Sequence, residues 1–467
     1  MEEKTNVSKE LKEKLFLQRK NGYNRIEETE EKAIFDFAED YKKFLDIAKT
    51  EREAVCEAVK LLEANGFVEY KSDMKLSAGD KIYRNNRGKA IIAAIIGTAP
   101  ISEGVRLCAA HIDSPRLDLK QNPLYEDNEL ALFKTHYYGG IKKYQWTTIP
   151  LSLHGVIIKA DGTSVTVNIG EDENDPVFCV TDLLPHLATE QMTRTATKII
   201  RGEDLNLLIG SIPFRDDEAS EAVKLNIMNI LFEKYGITEA DFISSELEAV
   251  PAFKARDIGF DRSLVGGYGH DDRCCAYPAL RAAIGCKAPV HTTVTILADK
   301  EETGSDGNTG LCSSYLRYFI EDIAEALGAK GRDVFSVSEC LSADVNAAFD
   351  PTFPEVNERN NAAYVNKGVC ITKYTGSRGK SGTSDASAEF AGRIRRLMND
   401  KNVIWQTGEL GKVDAGGGGT VAAYIANLDV DTIDMGVPVL SMHAPYEVIS
   451  KLDLYMAYKA FAAFIAD

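Results

Sequence analysis

An α/β fold is what this sequence predicts, and three observations predict it. Strand-like apolar runs alternate with helix-like segments along most of the chain. Four of those runs end on their C-terminal side in a polar or charged residue, which is where ligands bind in open α/β sheets. The long stretch between the first and second of them instead alternates apolar and polar residues, as half-buried antiparallel strands do.

The elements follow in order. The first 32 residues alternate charge sign and lack the apolar core of a signal peptide, so they read as one or two solvated helices of a cytoplasmic protein. Val105–Ala110 (VRLCAA) is a short strand that delivers His111-Ile112-Asp113. Leu151–Ile169 alternates cleanly and carries Asp161-Gly162, a strong hairpin turn signal. Asp182–Gly202 and Glu218–Tyr235 read as helices. Val290–Ala298, rich in β-branched residues, runs into Asp299-Lys300-Glu301-Glu302. Val334–Leu341 leads to Ser342-Ala343-Asp344, and Val437–Met442 leads to His443. A β-rich segment, residues 119–255, therefore reads as a second domain inserted between 1–118 and 256–467. At 467 residues the chain is long enough for two cores. Gly416–Gly419 is either a flexible loop or a place where backbone must approach something closely.

Composition narrows the function. Seventy-one acidic against 54 basic residues give a formal net charge of −17, which argues against a nucleic-acid partner. No apolar stretch reaches the ~18 residues of a membrane span. Nine scattered cysteines form no CxxC pair, and several sit in apolar runs, as buried reduced thiols do.

The strand-end residues carry the chemistry. Glu301 and Glu302 repel each other and enter a cleft only if something positive holds them. A divalent cation can take one carboxylate and leave the other as a proton acceptor. Asp113, two residues beyond His111, is spaced to accept the second ring N–H of a ligating histidine. Asp271 follows glycines at the head of a helix-like segment, Asp344 follows a strand, and His443 has Glu447 nearby. Two histidines with at least three carboxylates suit Zn²⁺, Co²⁺ or Mn²⁺. They are too many for one open catalytic zinc and fit two metals sharing a carboxylate.

The order His, Asp, Glu-Glu, Asp, His is similar to that of two-metal exopeptidases built on a central mixed sheet flanked by helices. The wording AAHIDSPR, GHDDRCCAY, DKEETGS, LSADV and MHAPYE resembles the aspartyl aminopeptidase family, over nearly the whole chain. The resemblance implies that His111 and Asp344 bind one metal, that Glu302 and His443 bind the second, and that Asp271 bridges them. Glu301 would be the general base and Asp113 the partner of His111. His186, in LLPHLATE, resembles the histidine that a neighbouring subunit lends to the site, and Lys373 resembles the lysine that meets an acidic substrate side chain. The implied protein is a dodecameric aminopeptidase with two zinc ions per subunit, acting on peptides with a free and possibly acidic N-terminal residue; residues 119–255 would be its oligomerisation domain. One departure stands out: eukaryotic members carry histidines just after the third carboxylate motif, where this chain has SADVNAAFDPTF. A carboxypeptidase or deacylase could use the same metal core, and a non-catalytic metal-stabilised assembly would have no need of Glu301.

Overall fold

The computed structural model describes residues 2–216 and 220–467. Its centre is a nine-stranded mixed sheet. Val105–His111 lies between Thr292–Ala298 and Glu339–Ser342, parallel to both, and Asp431–Gly436 continues the parallel run beyond Glu339–Ser342. Antiparallel strands close the sheet on either side, Ala90–Ile95 next to Thr292–Ala298 and Val369–Thr372 next to Asp431–Gly436. All side chains of Ala90–Ile95, Val105–His111 and Thr292–Ala298 are buried, as expected of strands covered on both faces. One face packs against helices Glu28–Ile47, Glu51–Ala64, His270–Gly285 and Lys451–Ile465. The other packs against Tyr315–Ala326, whose Leu316, Phe319, Ile320 and Ile323 recur at helical spacing. Local chemistry sets the helix starts: Thr50 and Glu53 form a capping box, and Ser387 and Ser450 each accept a backbone N–H two or three residues into their helices.

Residues between Arg116 and Pro251 build a separate seven-stranded sheet with its own apolar core, including Leu117, Trp146, Leu153 and Phe242. The hairpin read at Asp161-Gly162 joins Leu151–Ile158 to Ser164–Ile169, and Gly162 takes the left-handed backbone such a turn needs. A smaller five-stranded sheet carries Pro438–Leu440 and Glu447–Ser450.

Three expectations fail. Asp182–Gly202 is not an α-helix but a chain of turns with short 3₁₀ segments at Pro185–Leu187 and Gln191–Thr193. Leu183, Leu184, Leu187 and Met192 are at least half exposed, so no buried apolar face stabilises a helix there. The run Val334–Leu341 is a strand only from Glu339; Gly331–Phe335 is helical, and Ser338 breaks the run by bonding back to the Val334 carbonyl. Val437–Met442 is not a strand of the central sheet. Asp431–Gly436 takes that place, and the chain then turns into the five-stranded sheet. The helix read at Glu218–Tyr235 is Ala222–Tyr235, with Glu218 outside the described residues. The N-terminal region gives a helix, Glu2–Leu15, exposed over residues 8–15, and a second, Glu28–Ile47, that buries Ile34, Phe37 and Tyr41. Among the described residues no helix is long and apolar enough to cross a membrane.

Candidate active site

Parallel strands place their C-terminal ends on one edge, and that edge collects the polar residues. His111 ends its strand directly opposite Ala298, three residues before Glu301. Asp344 follows Glu339–Ser342 on the other side of His111. Asp271 enters from the head of His270–Gly285, and His443 from the loop after Pro438–Leu440. His111, Asp271 and Asp344 place three ligand atoms within 4.8 Å of one another, as do Asp271, Glu302 and His443. Asp271 belongs to both groups. Its Oδ1 lies 3.2 Å from His111 Nε2 and its Oδ2 lies 3.3 Å from His443 Nε2. Glu301 Oε2 is 3.9 Å from His111 Nε2 and belongs to neither group.

The supporting contacts fix these atoms. Asp113 is fully buried and accepts backbone N–H bonds from Glu301 and Glu302, both at 3.1 Å, and the Tyr138 hydroxyl at 2.7 Å. His111 Nδ1 lies 3.3 Å from the same carboxylate, so His111 turns Nε2 toward Asp271. Asp272 accepts the His111 backbone N–H at 3.2 Å. Glu447, 1% exposed, accepts the backbone N–H of Asp271 at 3.0 Å and of His443 at 2.7 Å. The Gly140 carbonyl meets His443 Nδ1 at 2.8 Å, turning Nε2 toward Asp271 and Glu302.

The electrostatics call for a cation. Burial, helped by Asp344, Asp271 and Asp113 against the opposing pull of His111, pushes the Glu301 carboxyl up to about 8. Burial and Asp271 raise Asp344 to about 7 and drive Glu302 well above the usual carboxylate range. Burial works against a charged His443, yet Asp271 and Glu302 outweigh it and push the imidazole up to about 10. Glu302 Oε1 is buried and finds no hydrogen-bond partner among the described residues. Crowded carboxylates, two imidazole nitrogens aimed at them and an orphaned buried oxygen are what a divalent-metal site presents, and the N/O donor set fits zinc.

Asp271, Glu301, Glu302, Asp344 and His443 line a cleft of about 750 Å³. Tyr374, Arg378, Lys380, Glu409 and Lys412 line the same cleft. Gly417–Gly418 also lines the cleft and pairs with Gly376–Ser377; a side chain on Gly417 would fall 2.4 Å from the Gly376 carbonyl. The glycines there permit close approach of two backbones. Of the expected residues, His111 and Asp113 are buried behind the lining and contact Asp271, Glu301 and Glu302, whereas two others stand apart from the cleft. Lys373 pairs with Asp385 at 3.0 Å, and His186 is exposed on the Pro185–Leu187 turn. Sequence reasoning missed Tyr138, Gly140 and Asp272 and gave Glu447 no role; only the last carried a signal, a carboxylate four residues from a candidate ligand.

Comparison with known proteins identifies the family. The family model for the aminopeptidase I zinc metalloproteases (M18) matches residues 44–465. A probable M18 family aminopeptidase 1 of Clostridium acetobutylicum is 52% identical over 459 residues, 97% of this chain and 99% of that protein. The crystal structure of an M18 aminopeptidase from Thermotoga maritima superposes with a TM-score of 0.92 at 46% identity, covering 96% of this chain and 99% of the other. A yeast aminopeptidase 1 dodecamer shares the fold, with a TM-score of 0.73 at 21% identity over 92% of this chain and 96% of its own. The chain belongs to the M18 family of zinc metalloaminopeptidases, hydrolases that remove N-terminal residues.

Proposed function

We propose that two zinc ions bind per chain, one held by His111 and Asp344 and the other by Glu302 and His443, with Asp271 shared. The observation that carries this is the split of the Asp271 carboxylate, one oxygen toward each histidine. The same donors would accept Co²⁺ or Mn²⁺. When bound, the ions supply Lewis acidity that acidifies a water and polarises the scissile carbonyl. Glu301 takes the proton of the attacking water and returns it to the leaving amine. It stands 3.9 Å from His111 Nε2 and next in sequence to Glu302 while belonging to neither ligand group, which leaves its carboxylate free to take and give a proton. Asp113 orients His111 and both adjacent glutamates through its four contacts.

The substrate is a peptide with a free N-terminus. Arg378, Lys380 and Lys412, which line the same cleft, favour an acidic first side chain, with Lys373 joining them through the Asp385 it shares with Lys380. Residues 119–255 form the oligomerisation domain of a closed homo-oligomer, a dodecamer, in which His186 of one subunit completes the site of another. Exposed Leu183, Leu184 and Leu187 around His186 support that role, as does the dodecameric yeast protein of the same fold.

The decisive experiment replaces the base. Glu301→Gln keeps the size and loses the proton affinity, so zinc content stays near wild type while turnover of free-N-terminus peptides falls at least ~10²-fold. The assay compares acidic, neutral and basic first residues, each free and acetylated. A fully active Glu301→Gln enzyme refutes the assignment.

A further inference from the structure

Three consecutive residues of the seven-stranded half touch three different residues of the metal site. The strand Leu130–Tyr138 runs straight into Gly139 and Gly140. The Tyr138 hydroxyl donates to Asp113 Oδ2 at 2.7 Å. Gly139 leaves room for Glu302, since a side-chain carbon there would lie 3.2 Å from Glu302 Oε2 and 3.4 Å from Pro115. Gly140 accepts His443 Nδ1 on its carbonyl at 2.8 Å, and a side-chain carbon on it would lie 3.3 Å from that same nitrogen. The His443 side chain is 38% exposed, so packing alone does not fix its ring. A carbonyl accepting the Nδ1 hydrogen does, and it also selects the tautomer with Nε2 free for a metal.

We propose that Tyr138-Gly139-Gly140 is a positioning segment through which the inserted half of the chain sets Glu302 and His443 for one of the two zinc ions. This rests on the two-ion reading given above. None of the three residues reacts; they act through Asp113, Glu302 and His443, the residues they adjoin. Contacts of this kind change metal affinity by ~10–100-fold when lost.

The test measures zinc affinity and stoichiometry on the full-length protein, by competition with a fluorescent chelator and by metal analysis. Gly140→Ala is the main variant. Gly140 is not in the left-handed region, so the added methyl presses on His443 without straining the backbone. The expected result is one zinc weakened ~10–100-fold and the other within ~3-fold of wild type, with thermal unfolding of the zinc-free protein unchanged. Gly139→Ala is expected to weaken the same ion, though its φ of +77° adds strain. Gly162→Ala is the control for that strain. It sits at φ +84° in the same half with open space around it, and should lower stability while leaving both zinc affinities intact. The proposal is overturned if Gly140→Ala binds both ions as wild type does, if both ions weaken together, or if Gly162→Ala matches Gly139→Ala. If wild type holds a single zinc, the two-ion reading falls, and the segment is judged on that ion. Weakening by Gly140→Ala then supports it, and unchanged affinity overturns it.

Discussion

Glu447→Gln is the sharpest probe of how the ligands are held. The carboxylate is 1% exposed and uses both oxygens, one on the Asp271 N–H and one on the His443 N–H. It thereby ties together two ligands 172 positions apart in sequence (443 − 271), one at the head of a helix and the other in a loop. Glutamine has nearly the same shape but only one acceptor oxygen. Its NH₂ must face one of the two N–H groups, so one bond is lost and a buried donor is left unpaired. A hydrogen bond to a charged group contributes about 2 kcal/mol, which corresponds to ~30-fold in a dissociation constant. Part of that cost appears as lower stability of the zinc-free chain and the remainder as weaker zinc binding. Chelator competition and thermal unfolding, each with and without zinc, separate the two. The expected result is zinc binding weakened ~10–30-fold and a smaller stabilisation by zinc than in wild type. Zinc affinity within ~2-fold of wild type would refute the claim that Glu447 spaces the ligands.

Other perturbations test the remaining parts. Asp271→Ala removes the shared ligand, so metal analysis should find both ions lost, and the Tm should no longer respond to added zinc; two ions retained per chain would reduce Asp271 to a helix-capping residue. His186→Phe should lower turnover with zinc content unchanged, and mixed assemblies with Glu301→Gln chains should regain part of the activity. No recovery after demonstrated subunit exchange would rule out a shared site. For pH, burial opposes ionisation of Glu171, but His154, Lys49 and Lys254 outweigh it and hold the carboxyl down to about 2. Its stabilising effect is present above the ordinary value of 4.5 and is lost as pH falls toward 2. His154 is shifted the other way, because Glu171 and Glu53 outweigh the opposing effect of burial; its contribution is full below 6.5 and fades as pH rises through the raised value. Glu171 meets Lys49 at 2.8 Å and His154 meets Glu53 at 2.7 Å, so this cluster joins the two halves, and it is strongest from about pH 4.5 to 6.5. Zinc-free Glu171→Gln should unfold at lower temperature than wild type in that window, with a gap that narrows as the pH falls below 4.5 toward about 2; a gap independent of pH would exclude Glu171 as its source.

The sequence made the metal-facing edge legible because strand ends obey a simple rule. His111, Glu301, Glu302 and Asp344 each follow an apolar run, and all three runs contribute to the parallel part of the central sheet. The Asp161-Gly162 hairpin was legible for the same reason, a local turn signal between alternating segments. What failed depends on distant packing. His443 does follow a strand, but that strand sits in another sheet. Gly436 redirects the chain where its backbone passes so close to Asp344 that a side-chain carbon would lie 1.8 Å from the Asp344 carbonyl. Nothing local distinguishes the run before it from a central strand. Gly140 carries even less signal, since its contact with His443 is made by a backbone carbonyl 303 residues away. Asp182–Gly202 was misread because its leucines look like one face of a helix, although they are not buried within this chain.

The charge balance explains why the halves of the molecule and the metal depend on one another. Asp113, Asp271, Glu302, Asp344 and Glu447 are brought close together with little access to water, and burial resists every one of their negative charges. The nearest strong cations are committed elsewhere. Arg273 donates to the backbone carbonyls of Lys49 and Ile112, and Arg116 pairs with Asp118, Glu51 and Glu248. Among the described residues, His111 and His443 are the cationic groups that stand among the carboxylates, and a protonated imidazole cannot also be a ligand. Burial and mutual repulsion favour the protonated form of Glu302, Asp344 and Glu447 in the metal-free chain. On the proposed two-ion reading, bound zinc would favour charged carboxylates and neutral imidazoles, and so would couple metal binding to the packing of the central sheet's edge, the loop bearing His443 and the Tyr138–Gly140 turn.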